Sequence, residues 1–118
     1  MFRKEIFTPG EYYHIYTRTI FGMKEFENPQ NANKLAQNFL LSNSTNSTQA
    51  FLRKATFPKF EKAREISETG EKFVDVICYC IMPNHYHLLL KELRKNGIVD
   101  FVRRCNTSVA KHINTKNE

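Results

Sequence analysis

The first regular element is predicted by an alternation of aromatic, β-branched and polar residues at positions 11–18. This segment follows a Pro-Gly pair that favours a turn, and its composition is typical of a β-strand. Successive side chains of a strand point to opposite faces. His14, Tyr16 and Arg18 should therefore share one face of this strand.

A helix is predicted to begin at Asn28-Pro29, where a capping side chain precedes a proline at the first helical position. Apolar residues then recur at helical spacing, which indicates that one face of the helix packs on a sheet. The residues of this predicted face are Ala32, Leu35, Ala36, Phe39 and Leu40.

The polar tract Ser42–Gln49 is rich in Ser, Thr and Asn and predicts a mobile loop. The following segment, Ala50–Ile66, is ambiguous, because Pro58 would interrupt a single long helix. We interpret this segment as one or two short helical pieces. Residues 42–66 should thus form a polar loop and a basic, aromatic insertion within one domain spanning residues 1–118.

The clearest pattern predicts a β-hairpin over Phe73–Lys91. An almost continuous apolar run from Phe73 to Ile81 favours a strand that is buried on both faces. Pro83-Asn84 then favours a turn, after which the chain would return as the second strand.

A second helix is predicted to begin at Gly97, with an apolar stripe made of Ile98, Phe101, Val102, Cys105, Val109 and Ile113. The order strand, helix, insertion, hairpin, helix is that of the front of a ferredoxin-like split βαβ domain. We therefore expect an α+β fold with an antiparallel sheet and its helices on one face. A last strand of that fold would have to follow Glu118.

The chain carries 18 basic and 12 acidic residues, and this formal net charge of +6 favours a polyanionic partner. Basic residues are interleaved with phenylalanines between Arg53 and Arg64, as a surface that binds single-stranded DNA would require. The alternative for this stretch is a solvated helix face whose apolar side packs inward.

Features that report on the cellular compartment point to the cytoplasm. No apolar run approaches the ~20 residues needed to cross a bilayer, and the charged start of the chain does not resemble a signal peptide. The cysteines, Cys78, Cys80 and Cys105, are an odd number, which favours reduced thiols. We therefore expect a cytoplasmic protein without a membrane partner.

His85-Tyr86-His87 is the set of residues best suited to chemistry. On a strand, residues two apart point the same way, so both imidazoles should project from one face of the sheet. Two neutral imidazoles at this spacing can share a divalent cation, which can polarise a phosphodiester. The alternative is a pair of histidines that packs in the hairpin or the core without further function.

The block Met82–Leu90, with the sequence MPNHYHLLL, resembles the histidine motif of IS200-like and REP-associated tyrosine transposases, members of the HUH nuclease superfamily. Residues 13–18 and 78–81 are similar to strands of that family, and residues 101–114 are similar to the helix that follows its hairpin. With gaps, the resemblance covers most of residues 12–114.

This resemblance implies a DNA transposase and single-strand endonuclease in which a tyrosine attacks a DNA phosphate. His85 and His87 would be the metal ligands, and the cofactor would be Mg²⁺ or Mn²⁺. The partner would be single-stranded or hairpin DNA, bound by either a monomer or a homodimer. The candidate DNA contacts are Arg18, Arg53, Lys54, Arg103, Arg104 and Lys111.

The resemblance also implies that part of the domain is missing. In the family the nucleophilic tyrosine lies on a helix after the last strand, and that helix usually supplies a third metal ligand. This sequence ends at Glu118, before either, which predicts a C-terminally truncated domain without its last strand and tyrosine helix. Tyr86 should point away from the histidines, and the chain is expected to be inactive by itself.

Two other functions are compatible with the sequence. Cys78, Cys80, His85 and His87 could lie on one face of the hairpin as a structural zinc site, although the usual zinc spacing is C-x₂₋₄-C. A ferredoxin-like sheet could instead bind nucleic acid without catalysis, with Tyr13, Tyr16 and Tyr79 stacking on bases.

Overall fold

An antiparallel sheet forms the centre of the fold in a computed structural model, which describes residues 6–47 and 60–116. Its strands are β1 (Tyr12–Arg18), β2 (Val74–Met82) and β3 (His85–Glu92), in the spatial order β1-β3-β2. The described α-helices are α1 (Pro29–Leu41), α2 (Phe60–Ser67) and α3 (Gly97–Lys116), and two short 3₁₀ helices, Ile20–Gly22 and Glu25–Glu27, lie between β1 and α1. The α+β class and the antiparallel hairpin of a split βαβ arrangement are therefore confirmed.

The core lies on one face of the sheet, because the side chains of β3 alternate strictly between the two faces. Tyr86, Leu88 and Leu90 are fully or almost fully buried, whereas His85 and His87 on the opposite face are half-buried. The buried face packs against apolar residues of α1 and α3, namely Leu35, Phe39, Ile98, Phe101, Cys105 and Val109. The helices and the two histidines therefore lie on opposite faces of the sheet.

Both predicted helix starts are confirmed, and each has a specific cap. At α1, Oδ1 of Asn28 accepts a hydrogen bond of 2.9 Å from the backbone N–H of Gln30. At α3, Oε1 of buried Glu92 accepts one of 2.6 Å from the N–H of Ile98. Burial raises the pKa of Glu92 above its usual value, although the bond from Ile98 acts in the opposite direction.

Gly97 is required where α3 begins, because the backbone of another segment passes very close to it. A Cβ atom at this position would overlap the carbonyl oxygen of Phe73 and lie 2.9 Å from Oε1 of Glu92. The residue that opens the helix therefore has no room for a side chain.

The predicted buried face of α1 is partly wrong. Leu35 and Phe39 are buried as expected, but the polar residues Asn31 and Asn38 are buried as well. Asn31 donates to the carbonyl of the preceding turn at Glu25 over 2.9 Å, and Asn38 accepts from a serine of α3 over 3.3 Å. The buried face of α1 is thus shifted towards α3 and the turn. The spacing of apolar residues cannot reveal this shift, because it involves buried polar side chains. Ala32, Ala36 and Leu40 are only half-buried.

The prediction of a loop after α1 is confirmed for residues 42–47, but its description as mobile does not fit the contacts. Asn43 is buried, its Oδ1 accepts from the N–H groups of Phe73 and Val74 over 3.0 Å each, and its Nδ2 donates to the carbonyl of Val74 over 2.6 Å. Ser44 is buried and donates to the carbonyl of Thr69 over 2.5 Å. The polar side chains thus replace backbone pairing at the start of β2.

The expectation that β2 is buried on both faces is wrong. Ile77 and Tyr79 are each about half exposed, at 50% and 51%. Within the described sheet β2 is an outer strand, and its pairing with β3 is interrupted by a bulge at Ile77, between Val76 and Cys78. An apolar run can therefore lie at the edge of a sheet, where only one face is covered by helices.

The segment Ala50–Ile66 is described only from residue 60 onwards. One of the expected short helical pieces is found there as α2, while Arg53 and Lys54 lie outside the described residues. Across residues 6–47 and 60–116, no helix combines the length and the hydropathy that crossing a bilayer requires.

Candidate metal and DNA site

The imidazoles of His85 and His87 lie side by side on the open face of the sheet, opposite α1 and α3. Their ring centroids are 5.1 Å apart and the ring planes are almost perpendicular. Antiparallel pairing places Arg18 of β1 opposite His85 and Tyr16 opposite His87. The sheet thus holds the motif on its central described strand, with β1 supplying its immediate neighbours.

Each of these histidines has a hydrogen-bond partner at Nδ1. Nδ1 of His85 donates to Oδ1 of Asn84 over 2.7 Å, and Nδ1 of His87 lies 2.9 Å from Nε2 of His14. Metal-binding histidines usually have their second ring nitrogen oriented by such a partner. The arrangement leaves Nε2 of both rings without a hydrogen bond to any described residue and thus available to a cation.

The sequence did not identify Asn84 and His14 as these partners. The available signal for His14 was its place on the same strand face as Tyr16 and Arg18. Using that signal requires the register of β1 against β3, in which His14 lies opposite Leu89 and diagonal to His87. For Asn84 the signal was its position directly before the first histidine.

Tyr16 is the tyrosine that contacts both histidines. Its ring centroid lies 5.2 Å from that of His85 and 5.2 Å from that of His87, and the side chain is 50% exposed. Tyr86, by contrast, is 2% exposed on the other face, and its hydroxyl donates to Oδ1 of Asn106 over 2.5 Å. Burial raises the pKa of Tyr86, so its phenol stays protonated and inaccessible to a substrate on the histidine face.

Asn84 also joins the histidine motif to the loop after β1. Its carbonyl accepts from the N–H of Thr19 over 3.0 Å. Its Nδ2 donates to the carbonyl of Gly22 over 3.4 Å, while its Oδ1 binds His85. One asparagine of the hairpin turn therefore holds both a candidate ligand and the neighbouring loop.

The candidate DNA-binding residues lie in different surroundings. Arg18 is exposed at the end of β1 beside the histidines, and it lines a groove of about 580 Å³ together with Arg103 of α3. Lys111 is exposed further along the same helix. Arg18 and Arg103 thus line the same groove between β1 and α3.

Arg104 differs from its neighbours because the protein itself occupies its guanidinium group. This group donates to the carbonyls of Ser42, over 3.1 Å, Ser44, over 3.4 Å, and Ser47, and it lies 5.3 Å from the ring centroid of Phe73. Burial lowers the pKa of Arg104. These contacts fasten the 42–47 loop to α3.

The zinc alternative receives no support. In the pairing of β2 with β3, Cys80 lies opposite His87 and Cys78 lies opposite Leu89. However, among the described residues no group of three or more His, Cys, Asp or Glu side chains is arranged to hold a metal ion. Cys78 and Cys80 therefore do not complete a metal site with His85 and His87.

The three tyrosines required by a purely base-stacking sheet do not share a face. Tyr16 lies on the histidine face, whereas Tyr13 packs against the core and Tyr79 contacts Phe39 of α1 with ring centroids 4.9 Å apart. A sheet that binds nucleic acid by stacking bases on all three tyrosines is therefore not supported.

One of three comparisons with known proteins identifies the family of the chain. No curated protein and no solved structure matches the chain. The family described as "Transposase IS200 like" matches residues 43–118, which are more than half of the chain and contain the whole β2–β3 hairpin with both histidines and α3. Together with the α+β fold, this match shows that the chain belongs to the IS200-like transposase family.

Proposed function

We propose that this IS200-like transposase domain acts on single-stranded DNA, through attack of a tyrosine on a phosphodiester at a metal site formed by His85 and His87. The observation that carries the proposal is the shared orientation of the two imidazoles. Both project from the open face of β3, and both are held at Nδ1. A role in DNA transposition follows from the family; the metal-assisted mechanism is the step we add.

Two imidazoles can share a divalent cation, and the family resemblance favours Mg²⁺ or Mn²⁺. Two neutral imidazoles would bind through Nε2, while water, a phosphate oxygen and a further protein group would complete a shell of about six ligands. When bound, such a cation would activate the scissile phosphate for attack. His14 and Asn84 would act by keeping the two rings in place.

Two arginines that line the groove between β1 and α3 would bind the DNA backbone. Arg18, opposite His85, would bind a phosphate of the DNA strand, and Arg103 across the groove would hold the next part of the backbone. Tyr86 is excluded as the nucleophile by its burial. The resemblance assigns the attacking tyrosine to a helix that would follow α3, so residues 1–118 are expected to bind DNA without forming a covalent adduct.

The test of this function supplies the attacking tyrosine on an added segment. A C-terminal segment of a full-length relative, carrying the tyrosine helix, is fused after Glu118 and incubated with labelled single-stranded DNA and Mn²⁺. We expect strand cleavage and a phosphotyrosyl adduct on the supplied tyrosine. His85→Ala or His87→Ala should abolish cleavage and leave DNA binding nearly intact, since the metal acts on the scissile phosphate.

Two controls make the result specific. His112→Ala removes a histidine of α3, which packs on the other face of the sheet, and should cleave like the parent fusion. Tyr16→Phe removes the hydroxyl beside the histidines and should still form the adduct. Cleavage that persists without His85 and His87, or an adduct on Tyr16 of the bare chain, would refute the proposed mechanism.

A further inference from the structure

The loop after β1 exposes apolar side chains beside the histidine site. Ile20 is 75% exposed, Phe21 is 97% exposed and Met23 is 52% exposed. Phe21 also has a φ of 57°, in the left-handed region that residues with a side chain seldom adopt. Neither the exposure of this ring nor its backbone conformation stabilises the folded protein. Together they indicate that Phe21 binds a ligand.

This loop is fixed to the site by several contacts. Thr19 is bonded to the carbonyl of Asn84, and its Oγ1 also donates to the carbonyl of Met23 over 2.5 Å. Asn84 returns a bond to the carbonyl of Gly22 over 3.4 Å. Phe21 is therefore presented from a loop whose two ends are fastened to the turn that precedes His85.

A cation lies directly beneath the loop. A Cβ atom on Gly22 would lie 3.2 Å from Nη2 of Arg18, so the guanidinium packs against this glycine. Within the described part of the chain, no carboxylate lies within ion-pair distance of Arg18. The loop thus combines an exposed aromatic ring with an arginine that has no acidic neighbour to neutralise it.

We propose that Phe21 is a stacking platform for an unpaired nucleobase of single-stranded DNA whose adjacent phosphate binds Arg18. An open aromatic ring offers a π-face to any base, and a nearby guanidinium binds the backbone. A duplex does not fit, because its base faces are already stacked. The charge of Arg18 favours a nucleic acid over an apolar protein segment, which would bury an unpaired cation at a cost.

This inference rests on the proposed function, in that DNA is the substrate, and it names the part of the chain that would bind the strand next to the histidines. Since Arg18 lies opposite His85, the stacked base would belong to a nucleotide close to the phosphate at the metal site. The loop would then fix the position of the strand relative to the two imidazoles.

The first experiment uses the absence of tryptophan from the sequence. Phe21→Trp introduces a single indole, whose fluorescence is quenched when a base stacks on it. We expect quenching by a single-stranded oligonucleotide and none by the same sequence as a blunt duplex. Leu93→Trp is the control: this residue is 39% exposed just after β3, at the end of the sheet remote from His85, and its indole should not respond.

The second experiment measures affinity for the same oligonucleotide by fluorescence anisotropy. Phe21→Ala should weaken binding by about five- to a hundredfold, as expected for the loss of one base stack. Phe21→Leu should weaken it nearly as much, because leucine is apolar but has no π-face. Neither change should lower thermal stability, since the ring is almost fully exposed.

The outcomes separate this inference from the proposed function. If the oligonucleotide binds, but the indole of Phe21→Trp is not quenched and Phe21→Ala binds normally, the platform is refuted and a DNA function stands. Normal binding by Phe21→Leu together with a loss in Phe21→Ala would indicate an apolar contact and also refute stacking. If no variant and no parent chain binds DNA, both proposals fail.

Discussion

His14 and His87 lie on adjacent antiparallel strands, and Nε2 of the first is 2.9 Å from Nδ1 of the second. Their rings are almost parallel, with an angle of 10° between the planes and 5.0 Å between the centroids. A neutral imidazole has one donor and one acceptor nitrogen. The contact therefore uses one nitrogen of His87 and determines that Nε2 is the atom left for a cation.

A substitution of His14 tests this relationship without any cleavage assay. His14→Ala should lower the affinity of the chain for Mn²⁺ by about 10- to 100-fold, the usual effect of removing the group that orients a metal-binding histidine. Electron paramagnetic resonance of free and bound Mn²⁺ provides the measurement. His14→Gln, which keeps a hydrogen-bonding group of similar reach, should recover part of the affinity. Equal affinities in all three proteins would show that His14 only packs beside His87.

The charges around the groove predict a DNA affinity that falls with salt. The observed binding constant should decrease steeply as salt rises, because several phosphates release their counterions. Arg18→Glu and Arg103→Glu should weaken binding and reduce the salt slope, since these two residues line one groove. Lys72→Glu, on an exposed residue before β2, is the matched charge reversal outside the groove and should have a smaller effect. An affinity that does not change with salt concentration would favour a protein partner.

Arg104 is expected to affect stability more than DNA binding. Arg104→Met keeps much of the packing but leaves the carbonyls of Ser42, Ser44 and Ser47 without their donor. Each unsatisfied buried group costs about 1–3 kcal/mol, so urea denaturation should show a loss of at least that size. Arg103→Met, whose parent residue is exposed, should change the free energy of unfolding by less than about 0.5 kcal/mol.

Gly97→Ala should destabilise the fold even though alanine is a better helix former than glycine. The added methyl group would overlap the carbonyl oxygen of Phe73, and that backbone atom cannot move without shifting β2. Overpacking of this kind costs about 1–3 kcal/mol. Urea denaturation provides the measurement, with Val99→Ala on the exposed side of the same helix as the control. A more stable Gly97→Ala protein would contradict the close approach.

The raised pKa of Glu92 predicts that the stability of the fold depends on pH. Because burial raises its pKa in the folded protein, the protonated form is favoured by folding. The contribution of Glu92 to stability is therefore fully present below its unfolded pKa of about 4.5 and declines as the pH rises through the folded pKa. Glu92→Gln keeps an acceptor for Ile98 and should gain stability relative to the parent as the pH rises from about 4 to about 7 in urea titrations. A constant difference across this range would show that Glu92 has the same pKa in the folded and unfolded states.

The parts of the fold that the sequence predicted depend on local signals. Asn28-Pro29 caps a helix through atoms two residues apart, and Pro83-Asn84 turns the hairpin between adjacent strands. The face of β3 that carries His85 and His87 followed from the alternation of a strand. These features need no knowledge of which distant segments come together.

The parts that sequence reasoning missed depend on contacts between distant positions. The bond between His14 and His87 spans 73 positions, and those from Arg104 to the 42–47 loop span about 60. The partial exposure of β2 could not be predicted either. An apolar run is compatible with a central strand and with an outer strand of a sheet. The motif identified the two candidate ligands; only the strand register identified what holds them.

The bulge at Ile77 has a consequence for the behaviour of the protein in concentrated solution. An outer strand with exposed Ile77 and Tyr79 is a template on which a second molecule could add a strand and begin to aggregate. A bulge introduces an unpaired residue, increases the local twist and breaks the regular row of donors and acceptors. The irregularity thus makes intermolecular strand pairing along β2 less favourable and helps to keep an apolar edge compatible with a dispersed protein.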